Sequence, residues 1–191
     1  MEVYPATPPP FDVYPFEEEY QTQTSMFQGS NEQSQMLRRF PVKKFSLSYD
    51  LIQIATEWSV IHNFYKTMFG GWARFWFFDF ERRHWGDEYV GRGNGSTRVF
   101  DLHSKSIDPH LLSVLVNGSP VTFSFLPAGG QGGADVVVLD AAPVLGALIT
   151  STFDGNLRIK AVMQDRFSDS ISARFVGMAK IETIVLREVH W

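Results

Sequence analysis

The chain has 191 residues, a net charge of −4, 44% hydrophobic and 15% aromatic residues, and no cysteine. A self-sufficient core is within reach of that length. Disulfides, cysteine-ligated zinc and thiol nucleophiles are excluded, and the acidic balance argues against a general nucleic-acid binder. No apolar run approaches the roughly 18 residues a membrane helix needs, so no membrane insertion is expected. Residues 1–16 hold five prolines and no basic residue, unlike a secretory leader.

Charge is unevenly placed. Residues 1–35 carry six acids and no Lys or Arg, a net −6, whereas the remainder carries +2. This first stretch is rich in Pro, Gln, Glu and Ser, and its apolar residues follow no sustained period. Too little apolar surface is available to offset chain ordering. Residues 1–36 therefore read as an extended acidic arm that orders against a partner or its own domain, and residues 37–191 as a β-rich domain. Removing residues 1–35 is expected to leave the fold intact and to loosen partner attachment.

Residues 40–50 alternate, with Phe45, Leu47 and Tyr49 on one side and Lys44, Ser46 and Ser48 on the other, as in a half-buried strand. A helix follows. Thr56 is its expected N-cap, with Glu57 in the first turn. Trp58, Ile61, Tyr65, Met68 and Phe69 share one face, and Gly70 and Gly71 supply the stop. Residues 74–80 (RFWFFDF) read as a short strand buried on both faces. Residues 91–95 (GRGNG) read as a hairpin turn or loop, and residues 97–102 as a strand. Asn117-Gly118 joins strands 112–116 and 121–125 in a hairpin. Residues 127–133 (PAGGQGG) read as a flexible exposed loop that meets partners. Residues 134–139, 147–153, 157–163 and 181–189 are further strands. The expected class is mainly β with one main helix (α+β), arranged as a β-sandwich or split barrel.

Catalytic constellations are not found. The five histidines (62, 84, 103, 110 and 190) show no metal-ligand spacing. His84 near Asp87 and Glu88 reads as a charged loop. G-x-S-x-G is absent, and the GRGNG run lacks the G-K-[ST] ending of a phosphate loop. Asp79 and Glu81 are spaced to share one strand face, as a glycosidase pair would need, but stand in an aromatic setting that also suits packing. No catalytic, cofactor-binding or metal-ligating residue is assigned.

The order of the pieces is more specific than any one of them. Phe75, Phe77 and Asp79 form F-x-F-x-D after the helix. Gly91, Gly93, Phe100 and Leu102 form a Gly-rich run with a downstream F-x-L. Then come VNG-x-x-V, the turn APVLG (142–146), and Ile184, Leu186 and Glu188 as I-x-L-x-E. Over residues 40–190 this series resembles the distal tail proteins of long-tailed phages and gene transfer agents. The acidic arm has no counterpart in that pattern. The resemblance implies a non-enzymatic structural protein of the virion, made in the bacterial cytoplasm. It sits at the distal end of the tail as a homohexameric ring under the tail tube, and meets the tube protein, the hub and other baseplate or fibre proteins. DNA passes through such a ring without tight binding, which suits a mildly acidic wall.

A ring subunit needs two different patches, each matching its neighbour's opposite patch. Interface centres are rich in aromatic residues and Arg. Trp72, Arg74, Arg82, Arg83 and Trp85 are the candidate interface residues, with Glu17–Glu19 a possible source of carboxylates for a neighbour's Arg82-Arg83. The alternative reading is a carbohydrate-binding β-sandwich that stacks exposed aromatic rings on host sugars.

Overall fold

The computed structural model describes residues 1–10, 16–20, 22–26, 32–36, 40–69, 71–79, 83–163, 168–171 and 177–189. The strands are Phe16–Glu19 (β1), Thr22–Met26 (β2), Glu32–Met36 (β3), Val42–Gln53 (β4), Phe75–Phe78 (β5), Arg83–Arg92 (β6), Val99–Asp101 (β7) and Ser104–Lys105 (β8). They continue as Ser113–Val116 (β9), Ser119–Pro120 (β10), Phe123–Leu126 (β11), Val136–Leu139 (β12), Leu148–Met163 (β13), Ser168–Ile171 (β14) and Met178–Glu188 (β15). Among the described residues the one α-helix is Ser59–Thr67 (α1), continuous with a π-type turn over Ile54–Trp58. Among the described residues the protein is thus mainly β with one α-helix and a short 3-10 turn over Pro109–Leu111, and its sheets do not close into a barrel.

Two compact units divide the chain, and the division does not fall at residue 36. One comprises Met1–Tyr4 and Trp76–Ile159; the other comprises Pro5–Phe75 and Lys160–Trp191.

In the second unit the sheet runs β1–β4–β15–β13, all antiparallel, with β14 also on β15. The alternation expected of β4 is present: Phe45, Leu47 and Tyr49 are fully buried, whereas Lys44, Ser46 and Ser48 are half-buried. Ile184, Leu186 and Glu188 of the I-x-L-x-E run point inward on β15, and Glu188 Oε2 accepts the Lys43 N–H at 3.1 Å. Part of the first stretch of chain pairs with the strand that follows it. β1 lies antiparallel on β4, and β2 pairs with β3. Lys43 Nζ stands 3.9 Å from Glu18 Oε1, and Lys44 Nζ 2.7 Å from Glu19 Oε2. The Lys44 hydrogen bond and charge hold the Glu19 carboxyl below its ordinary range. Glu18 and Glu19 are therefore engaged by lysines of their own chain.

Helix entry differs from expectation. Gln53 holds the N-cap position, and its N–H donates to Glu57 Oε2 at 2.8 Å. The acid in the first turn closes the helix start, as its carboxylate should. Thr56 lies inside the turn, its hydroxyl donating to Gln53 Oε1 at 3.2 Å. Ile61 and Met68 are buried as expected, but Phe69 is not.

In the first unit β13 is the central strand. It pairs with β9 and with β6, and further along with β8. A separate three-stranded sheet runs β11–β12–β7. The two strands expected over 147–153 and 157–163 are one, β13, continuing through Gly155. Asn117-Gly118 makes the expected turn, with φ of 51° and 80°, and β10 folds back on β9. The next strand, β11, leaves for the other sheet, where it pairs with β12. Residues 91–95 are no hairpin turn: β6 ends at Arg92, and the following β7 belongs to the three-stranded sheet.

β6 occupies the region read as a charged loop. Its alternation is broken by Asp87, at φ 53°, where the register against β13 shifts. Such a bulge puts an extra residue in one strand and erases the period of two.

The 127–133 loop is held at both ends and in the middle, so it is not the flexible loop expected of a Gly-rich run. Buried Asp135 accepts from Ala128 N–H (3.0 Å), Ile107 N–H (3.3 Å) and Ser104 Oγ (3.4 Å). Asp101 accepts from Gln131 N–H at 2.9 Å, and the Arg158 guanidinium donates to the Gln131 carbonyl. Gly132 takes φ 66° against the Trp76 ring, where a Cβ would come within 2.8 Å of the indole. Replacing Asp135 by Asn keeps the volume but turns one acceptor oxygen into a donor facing donors. A loss of about 2 kcal/mol is expected, with faster amide exchange at Ala128 and Gln131. Unchanged unfolding and exchange would show that Asp135 does not hold the loop.

Candidate interaction surface

Helix α1 ends in a tight connection to β5. The Met68 N–H reaches the Phe64 carbonyl (2.9 Å), the Phe69 N–H the Lys66 carbonyl (3.0 Å), and the Ala73 N–H the Met68 carbonyl (3.0 Å). Met68 is buried, and the Phe64 and Phe75 rings meet edge to face at 5.1 Å. Both ends of the connection are thereby fixed.

What the connection displays is apolar. Phe69 is 73% exposed and Trp72 81% exposed, and their rings stand edge to face at 6.1 Å. Phe69 also takes a left-handed φ of 51°, which costs a bulky residue about 1–2 kcal/mol. Strain and exposure of a large ring at one residue point to selection for something other than stability of the isolated chain. Arg74 is exposed just beyond. Burial, with a smaller contribution from the Arg74 charge, pushes the Lys160 amine below its ordinary range, so two cations share this neighbourhood.

The other unit carries a second exposed apolar feature. In the turn of residues 143–146, Val144 is 69% and Leu145 83% exposed. The turn is clamped by the Gly-rich run. Gly93 N–H donates to Ala147 O (2.8 Å), Gly95 N–H to Pro143 O (2.9 Å), and Gly146 N–H to Gly93 O (2.8 Å). Asn94 Oδ1 accepts from Ser96 N–H (2.9 Å) and Thr97 N–H (2.7 Å), which fixes the run itself. Gly91 lies against the Phe100 ring, with 3.7 Å to a notional Cβ, and Leu102 is fully buried. The G-x-G and F-x-L pieces quoted from the sequence thus touch through Gly91 and Phe100.

The five candidate interface residues separate. Trp72 and Arg74 are exposed. Trp85 is 5% exposed, with its indole N–H donating to the Gly155 carbonyl at 3.2 Å, so it is a core residue and not a surface one. Arg83 opens β6 opposite Gly155, its side chain outside the described residues, and Arg82 lies outside them altogether. Phe69, Val144 and Leu145 were not among the candidate interface residues. Phe69 was assigned to the buried helix face because it continues the spacing of Ile61 and Tyr65.

Of the other chemistry-bearing residues, Asp79 is buried in the aromatic segment, and Glu81 lies outside the described residues. Exposed His84 pairs with Asp154 through Nδ1 at 2.5 Å, and His62 stacks on Trp58 at 4.3 Å. No group of three metal-ligating side chains occurs among the described residues, and no helix among them is long and apolar enough to cross a membrane. No protein-family model matches the chain, and no curated protein matches it.

Proposed function

We propose that the chain is a structural, non-enzymatic subunit of a phage-type tail tip, a distal tail protein at the far end of the virion's tail. Its β-rich fold serves as a sandwich-type ring domain. Copies close into a ring, six in the family it resembles, that joins the tail tube to the hub and fibres. The observation that carries this reading is the Phe69–Trp72 pair: two large rings standing edge to face in solvent at a strained turn. The Val144–Leu145 turn supports it, because a ring interface uses two different patches on each subunit.

The test is assembly. In the double variant Phe69→Ala, Trp72→Ala, the unfolding midpoint should stay within experimental error, since neither ring is buried. The subunit dissociation constant measured by sedimentation should rise by about 30- to 1,000-fold, as for hot-spot aromatics. A wild-type chain that stays monomeric at high concentration, or a double variant that assembles equally well, overturns the proposal.

The same exposed Trp72 ring favours one rival, stacking on a host glycan. A monomer retained on a glycan array, with retention lost in Trp72→Ala, would establish the rival instead.

A further inference from the structure

The residues Met1–Tyr4 sit in a docking site made by β5. Trp76 N–H donates to Glu2 O and Tyr4 N–H to Trp76 O, each at 2.8 Å, a short parallel ladder. Tyr4 is 3% exposed, its ring edge to face with Phe77 at 5.8 Å. Everything between them in the chain, Pro5–Phe75, belongs to the other compact unit. The first link of that intervening chain, residues 5–10, contains four prolines and forms no regular element. Proline lacks a backbone donor and favours extended backbone, so this link forms no main-chain ladder of its own, although Pro8 is buried.

We propose that Met1–Tyr4 dock on β5 of a neighbouring copy when the chain assembles. This rests on the ring reading above. The occupant is a second copy, because every copy carries both the site and the segment that fills it. The ladder and the Tyr4–Phe77 contact are the same whether made within a chain or between chains. Strand exchange of this kind therefore costs little in contact energy and is favoured by the high effective concentration inside an oligomer. It converts an internal strand pairing into a link between subunits, using main-chain hydrogen bonds and one aromatic plug.

The experiment uses the full chain with Val3→p-benzoyl-phenylalanine, a photo-crosslinking residue at a position 42% exposed. Equal amounts of isotopically light and heavy chains are mixed unfolded, refolded together, assembled and irradiated, and the crosslinked peptides are analysed by mass. Exchange predicts crosslinks from position 3 to β5, about half of them joining light to heavy chains. Tyr4→Ala in the same background should cut their yield about tenfold. An oligomer whose crosslinks join only chains of one mass overturns exchange and leaves the ring standing. A chain that is monomeric at every concentration overturns both.

Discussion

Gly93→Ala is expected to destabilise the protein by about 3 kcal/mol, at the upper end of overpacking costs. The added methyl would lie 2.3 Å from the Val144 carbonyl oxygen, 2.7 Å from the Pro143 carbonyl oxygen and 2.8 Å from Pro143 Cβ. Two of those atoms are backbone and the third belongs to a proline ring, so no side-chain rotation relieves the clash. The run and the turn must part, and the three hydrogen bonds that clamp residues 143–146 go with them. Gly91→Ala is the control from the same motif. Its methyl would meet the Phe100 ring at 3.7 Å, an ordinary contact, so the cost should stay below about 1 kcal/mol. Urea unfolding of both variants decides the matter. Equal losses, or a Gly93 variant as stable as the parent, would show that close approach is not why glycine stands there. Any surface role of Val144 and Leu145 should weaken in Gly93→Ala alone.

Arg158→Ala is expected to cost about 3 kcal/mol, because truncation takes a charged donor from two carbonyls and a cation from the face of a buried ring. Arg158 is 2% exposed. Its guanidinium carbon lies 3.5 Å from the Trp76 ring centroid. Nη1 donates to the Leu102 carbonyl at 3.4 Å and Nη2 to the Gln131 carbonyl. Burial pushes the group down to about 10, opposed by the charges of Asp101 and then Asp135. A cation whose folded value is lowered is disfavoured in the fold at every pH below that value, and the handicap fades as pH rises past 10 towards the unfolded value. At neutral pH Arg158 is charged, with two carbonyls as its hydrogen-bond acceptors, while its buried Nε has none among the described residues. Truncation leaves both carbonyls without it. Arg158→Lys keeps the charge and loses the planar fork, so it should fall between parent and alanine. An alanine variant within about 1 kcal/mol of the parent would show that the cluster does not depend on this residue.

Legibility followed locality. β4 could be read because its alternation is unbroken and one face is buried throughout: Phe45, Leu47 and Tyr49 against Lys44, Ser46 and Ser48. The Asn117-Gly118 turn could be read because left-handed φ at two adjacent residues calls for those residue types. The aromatic strand at 75–78 could be read as buried on both faces for want of any polar face. β6 could not, since the bulge at Asp87 shifts Trp85 and Glu88 out of any simple period. Phe69 could not, because helical spacing assigns it inward while the chain has already left the helix.

Other misses depended on distant partners. The acidic run at 17–19 resembles a solvated tail until Lys43 and Lys44 come beside it through the β1–β4 pairing. Tyr4 resembles a stray aromatic until Phe77 supplies its socket. The PAGGQGG run looks flexible until Asp101, Asp135 and Arg158 take up its backbone groups.

Composition and short-range pattern were enough for a mainly β chain with one helix, for the faces of its regular strands and for the Asn-Gly turn, because each is decided by residues two to four positions apart. Which aromatic rings ended in solvent, which loop was pinned and where the acidic stretch docked were settled only by long-range pairing. Trp85 and Trp72 have similar local surroundings, yet one found a carbonyl 70 positions away and the other is 81% exposed.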